Sequence, residues 1–310
     1  MINGVINVYK EKGYTSHDVV AKLRGILRQK KIGHTGTLDP EAEGVLPVCL
    51  GKATKLCELL TDKTKTYEAV LRLGIVTDTQ DMTGEVLEEH PVDVADEEVE
   101  RTILSFLGDQ EQIPPMYSAL KVNGRKLYEL AREGKEVERK PRKVTFYEIK
   151  ILEMNLPLVR FSVTCSKGTY IRSLCRDIGV KAGCGGCMAG LIRTRVSSFR
   201  IEEGFTLSEV EEMRDRDTLS EHIIPVDKVF SHLPAVFVKE KGEKLLYNGN
   251  PIAVDLYEKE PSAERQNANE KQEYIYTVGD RVRVYDSHHN FIGIYQLQEN
   301  QVLKPYKLFL

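Results

Sequence analysis

No stretch of this 310-residue chain approaches eighteen consecutive apolar residues, so the sequence offers no transmembrane helix. Met1 to Lys12 lacks the basic start and long apolar run of a secretory signal, and the expectation is a cytoplasmic protein without membrane contact. Cysteine is sparse. The six residues at 49, 57, 165, 175, 184 and 187 lie mostly in apolar patterns, as expected of reduced thiols packed as small hydrophobes. Cofactor signatures are also missing. Gly44 to Lys52 is superficially similar to a phosphate-binding loop, but its glycine spacing is too long and Ala53 stands where Ser or Thr is required. Cys184-Gly-Gly-Cys187 has no second thiol pair and no nearby His to complete a zinc site, so it reads as a glycine-rich bend. The expectation is a protein with no cofactor and no metal.

An overall positive charge is absent too, since the formal net charge is −3. That total conceals a segregation. Residues 22–31 carry five cations and no acid, residues 121–143 a net +5, and residues 156–200 a net +7, leaving about −20 for the rest. Phosphate contacts need local charge and not a basic total, so the three blocks point to a polyanionic partner. Hydrophobic content of 41% and charged content of 29% belong to an ordinary globular protein, long enough for two domains.

Along the chain, Val5 to Val8 predicts a strand and Ser16 to Gln29 a helix capped by Thr15 or Ser16. Gly33 to Gly44 is rich in Gly, Thr, Asp and Pro and predicts a loop. Ala53, Leu56, Leu59 and Leu60 share one side of a short helix, and Thr66 to Leu73 alternates as a strand with Tyr67, Ala69, Leu71 and Leu73 on one face. Val94 to Leu107 predicts a helix ending at Gly108. The charged stretch 114–143 is too long for a tight connection and predicts a functional excursion. Leu158 to Cys165 alternates as a strand, a helix carries Ile171, Leu174, Cys175 and Ile178, and Met188 to Val196 forms another strand. A break falls near residues 225–235. Beyond it come strands at Tyr274–Val278, Arg281–Tyr285, Phe291–Gln296 and Val302–Leu308, interrupted by a polar insert at 258–272 expected to be a mobile loop.

The densest concentration of unusual residues is the loop Gly33-His34-Thr-Gly-Thr-Leu-Asp39-Pro40. Two glycines free its backbone, His34 and Asp39 sit five apart, and Pro40 restricts the residue before it. The run His34 to Pro47 resembles the signature loop of the TruB family of tRNA pseudouridine-55 synthases. The resemblance continues in Gly13-Tyr-Thr-Ser16, Lys65-Thr-Tyr67-Glu-Ala69, Thr77 to Gly84, Ile113 to Arg125, Cys165 to Leu174 and Leu191 to Val196. These segments occur in family order and span roughly residues 4–230; their combination is specific where no single one is. One departure is Lys10-Glu11-Lys12-Gly13, which keeps the lysine but lacks the proline usual after it.

The resemblance implies an α/β (α+β) pseudouridine-synthase fold with a largely antiparallel mixed sheet flanked by helices over residues 1–232. It also implies an RNA-clamping insert at about 116–143 and a small β-rich PUA-like RNA-binding domain over 233–310. It implies Asp39 as the catalytic residue, Tyr67 stacking on the target base, Arg172 pairing with the aspartate, His34 helping to displace the base, and Tyr170 and Leu191 lining the pocket. The implied substrate is uridine 55 in the T-arm of tRNA, handled by a monomer without a protein partner. Turning uridine into its C-linked isomer needs no redox change and no group donor, which fits the missing cofactor motifs. The carboxylate acts as nucleophile or as base; the residues themselves leave both routes open. A guide-RNA-dependent synthase and a non-catalytic RNA chaperone are the alternatives.

Overall fold

The computed structural model describes residues 1–61, 64–259 and 277–310. The chain opens with β1 (Gly4–Lys10) and α1 (Ser16–Ile26), then β2 (Ile32–His34), β3 (Glu43–Leu50), a 3-10 turn and α2 (Cys57–Thr61). There follow β4 (Lys65–Leu73), a small ribbon of β5 (Ile75–Thr77) and β6 (Val86–Glu89), α3 (Asp96–Leu104) and β7 (Gly108–Gln112). The excursion holds β8 (Lys121–Val122), β9 (Arg125–Lys126) and α4 (Leu127–Arg132). Then come β10 (Arg142–Asn155), β11 (Leu158–Cys165), α5 (Ile171–Lys181), β12 (Gly186–Val196), β13 (Phe199–Arg200), α6 (Leu207–Asp215) and α7 (Val226–Val229). The last unit contains β14 (Ala235–Val238), α8 (Glu240–Tyr247), β15 (Tyr257–Lys259), β16 (Arg281–Tyr285), β17 (Phe291–Leu297) and β18 (Leu303–Leu308).

Nine strands form one sheet in the order β1-β3-β12-β4-β11-β10-β7, with β2 added to β3 and β13 to β12. Every pairing is antiparallel except the short parallel contact of β12 with β3. Period-2 alternation builds the centre: Tyr67, Ala69, Leu71 and Leu73 of β4 and Val159, Phe161 and Val163 of β11 are buried on the face covered by α3 and α5. On the other side of the molecule, α1 and α6 bury Val19, Leu23, Leu207 and Val210 against Ile6, Val8, Leu46 and Val48.

The predicted elements mostly recur with shifted ends. Helix α1 has the expected cap as a full capping box, Thr15 Oγ1 accepting from Asp18 N at 3.0 Å while Thr15 N donates to Asp18 Oδ2 at 2.8 Å. It stops short of Gln29 because Arg28 turns to φ +48°, out of the right-handed helical region, and the Gln29 side chain then bonds Ile2, accepting from Ile2 N at 2.8 Å and donating to Ile2 O at 3.0 Å. Several elements had no counterpart in the sequence reading, the longest being β3, β7, β10, β14, α6 and α8; β2 and the start of β3 also take up both ends of the expected Gly33–Gly44 loop. The fourteen residues of β10 carry charges on a bulged, largely exposed strand, which hides the alternation. Most of the expected strand Tyr274–Val278 and of the 258–272 insert lies outside the described residues; Thr277 and Val278 are described and are not in a strand, and Glu258 and Lys259 belong to β15.

The C-terminal unit is a five-stranded sheet, β15-β14-β16-β17-β18, with its own core of Val236, Val238, Ile252, Val282, Val284 and Tyr295. It packs on the larger sheet through Phe291, Ile294 and Phe309, which share a cluster with Val45, Leu56 and Phe230. Cys184 occupies a bend with Gly183 and Gly185 at φ +78° and +72°, as expected of the glycine-rich reading, and Cys187 is the second residue of β12.

One glycine decides whether the sheet can close around the site. Gly44 sits at φ +104° where β3 meets β12, and a Cβ there would lie 2.3 Å from the Arg193 carbonyl oxygen. Gly44→Ala is therefore expected to cost about 2–4 kcal/mol, from strain at positive φ and from overpacking. Urea unfolding measures this, and a loss under about 1 kcal/mol would show that the strands part readily.

Candidate active site

The loop from Thr35 to Ala42 joins β2 to β3 and presents Asp39. Side chains from three other elements satisfy its backbone. Ser16 Oγ, at the start of α1, accepts from Leu38 N at 2.9 Å. Lys10, fully buried at the end of β1, donates from Nζ to Pro40 O at 3.0 Å and Ala42 O at 2.5 Å. Arg193 of β12 donates to Gly36 O at 3.3 Å and Thr37 O at 3.4 Å. The segment that lacks the usual proline is still tied down, because Gly13 N donates to Pro40 O at 2.9 Å. Burial pulls the Lys10 ammonium down to about 8, against the opposing pull of Glu43 and Asp39. The loop is thus preorganised by buried cations acting on carbonyl dipoles.

Arg172 reaches Asp39 from α5. Residues 171–175 of this helix are all buried, because its first turn enters the protein. Arg172 Nε lies 2.9 Å from Asp39 Oδ2 and Nη2 donates to Asp39 Oδ1 at 3.2 Å, a forked pair. The same guanidinium donates to Thr79 O at 3.1 Å and Tyr117 O at 2.8 Å, and Nη1 stands 3.7 Å from Asp81 Oδ2. Asp81 is in turn held by Thr79 Oγ1 at 2.8 Å and Thr83 N at 3.0 Å. The loop between β5 and β6 and the root of the 116–143 insert therefore converge on one side chain.

The Asp39 carboxyl sits among packed atoms yet keeps 39% of its side-chain surface accessible. Withdrawal from water raises its pKa above the ordinary carboxylate range; Arg172 pulls it down without reversing the shift, and Asp81 adds to the rise. A charged group with one open face suits a substrate that a larger molecule presents.

Tyr67 is buried on β4 in a cluster with Leu38 and Ala42 of the loop, and Leu191 of β12 packs against that cluster. Burial pushes the Tyr67 phenol up to about 12, and the Arg193 guanidinium opposes that rise. Tyr170 caps α5; Gln112 locks its backbone, accepting from Tyr170 N at 2.8 Å and donating to Tyr170 O at 2.9 Å. Its phenol is raised by burial and feels the charges of both Arg172 and Asp39. His34 stands at the other end of the loop, edge-on to His17 with centroids 5.2 Å apart. Gly36 N donates to His34 Nδ1 at 3.3 Å, and burial lowers the ring pKa, which favours the neutral imidazole. The structure joins Asp39 to Arg172 directly, gathers Tyr67, Leu191 and Tyr170 around them, and leaves His34 at the rim.

Lys10, Asp81 and Arg193 carry site geometry that sequence reasoning did not assign. All three lie in or beside motif segments, which is the signal that pointed to them. The basic blocks also need correction: Arg172 and Arg193, counted toward a polyanion-binding surface, are interior residues. In the 116–143 insert, Arg125 and Lys135 pair with Glu133 and Arg139 pairs with Glu136, while Lys121, Lys140 and Lys143 remain exposed.

The architecture is that of a pseudouridine synthase. Residues 24–171 match the TruB family pseudouridylate synthase N-terminal domain and residues 172–231 the tRNA pseudouridylate synthase B C-terminal domain. The chain belongs to the TruB family and is an isomerase acting on tRNA uridine. It is 56% identical over 319 residues to the tRNA pseudouridine synthase B of Lachnoclostridium phytofermentans, covering 100% of both chains. It is 43% identical to that of Bacillus subtilis, over 100% of this chain and 98% of the other. Among solved structures it is similar to a Cbf5-Nop10-Gar1 complex, with a TM-score of 0.72 and 28% identity over 99% of this chain and 85% of the other. Among the described residues no helix is long and apolar enough to cross a membrane.

Proposed function

We propose that the chain isomerises uridine 55 in the T-arm of tRNA, with Asp39 as the catalytic residue and without a cofactor. The observation that carries this reading is the forked Arg172–Asp39 pair on a loop whose carbonyls are held by Lys10 and Arg193. The reaction breaks N1–C1′, turns the base, forms C5–C1′, returns a proton to N1 and releases the C5 hydrogen to solvent. A carboxylate serves either route: attack on C1′, or removal of the C2′ proton. Arg172 holds its charge and direction. Extruding the base from its stack costs a few kcal/mol, which stacking on Tyr67 and filling of the gap by His34 offset in part. Leu191 and Tyr170 line the pocket. The insert 116–143 clamps the RNA arm, and residues 233–310 form a PUA-like domain that adds affinity. The enzyme works as a cytoplasmic monomer.

The test is a T-arm stem-loop transcript carrying tritium at uridine C5. Stoichiometric release is expected from the native RNA, and none when position 55 is cytidine. Release that survives this change would move the target elsewhere. Tight tRNA binding with no release from any transcript would favour an RNA chaperone.

A further inference from the structure

Arg193 is 1% exposed and lies among the largest fully buried side chains. On β12 it pairs with Tyr67 of β4 on one side and Gly44 of β3 on the other. Its Nε donates to Val45 O at 2.7 Å, Nη1 to Thr37 O at 3.4 Å and Nη2 to Gly36 O at 3.3 Å. Its cross-strand partner, the Tyr67 phenol, acts on it electrostatically. Among the described residues its electrostatic partner is thus a phenol and not a carboxylate. A guanidinium stripped of water and given no counter-ion is tolerable only if its acceptors stay in place. Its planar fork makes the requirement geometric: one edge faces the catalytic loop, two and three residues before Asp39, and the group also reaches the ring opposite.

We propose that Arg193 is a positioning residue that locks the Asp39 loop and the Tyr67 ring into one geometry, so that both meet the same uridine. The proposal rests on the catalytic reading above. Loop and ring come from different parts of the chain, and neither alone fixes the other. A lysine at this position keeps the charge but cannot span from loop to ring.

The experiment compares Arg193→Lys, Tyr67→Phe and the double variant by kcat and KM for tritium release, by thermal unfolding, and by hydrogen exchange over residues 36–42. For Arg193→Lys we expect a folded protein, a KM within about twofold, a kcat lower by about 10²-fold, and faster exchange in the loop. Tyr67→Phe keeps the ring face and loses the link, so its kcat also falls, and the double variant is no worse than the weaker single. Native kcat in a folded Arg193→Lys, or losses that multiply in the double variant, would overturn the proposal. If Arg193→Lys does not fold, native kcat in Tyr67→Phe overturns it just as well. Absence of release by the native enzyme would instead sink the catalytic reading, and hydrogen exchange would still report whether Arg193 holds the loop.

Discussion

Arg172→Met is expected to lower kcat by about 10²–10³-fold. The substitution removes a forked donor from Asp39 and leaves Thr79 O, Tyr117 O and the Asp81 carboxylate without their shared cation. Two consequences follow for the chemistry. Asp39 loses the largest influence that opposes its upward pKa shift, keeping only that of Lys10, and it loses the direction that the fork imposed. The pair is not sealed from solvent, since Asp39 keeps an open face, so the stability cost falls at or below the low end for a broken buried pair, about 2–3 kcal/mol. Single-turnover tritium release and urea unfolding read the two effects separately. Arg172→Lys restores a charge but not the fork, so we expect it to recover stability more than rate. A native kcat in Arg172→Met would remove Arg172 from the site.

Asp39→Asn has the larger chemical effect and the smaller structural one. The amide has the shape of the carboxyl but can neither attack C1′ nor take a proton, so both routes are closed. Arg172 keeps its two carbonyl acceptors and Asp81. The sign of the pKa shift decides the stability. A carboxyl whose folded pKa is raised contributes stability fully below its unfolded pKa and loses it as pH rises through the folded value. At neutral pH an ionised Asp39 therefore adds nothing that the neutral Asn would lose, and the melting temperature is expected to stay within a few degrees. For the native enzyme the same shift places the acid limb of the rate above the ordinary carboxylate pKa of about 4. An acid limb at or below about 4 would mean that Arg172 outweighs burial.

The central sheet was legible wherever one strand face is buried and the other wet. β4 and β11 show this alternation residue by residue, and their boundaries fell within one residue of expectation. β10 was not legible because its outward positions are charged and bulges break the period. The first strand and helix of the C-terminal unit, β14 and α8, are short, and tertiary contacts rather than local propensity settle such elements.

At the site, Asp39 stood out because its loop is unusual in composition, whereas Arg172 was named only by the resemblance to the family. Their contact spans 133 positions, which no local pattern can state. Arg193 and Lys10 were missed for a physical reason. A cation in a strand reads as an outward residue, and only the fold shows that these two point inward onto loop carbonyls. Asp81 was hidden in the same way, in a polar stretch whose Thr side chains serve to aim its carboxylate.

Single-turnover release of tritium from a C5-labelled T-arm stem-loop by Asp39→Asn, with RNA binding measured on the same sample, tests the assignment of Asp39 most directly. The account predicts binding within about threefold of the native enzyme, a difference under 1 kcal/mol, and no release above background over many native half-times. Release at or near the native rate by a folded, RNA-bound Asp39→Asn would contradict it.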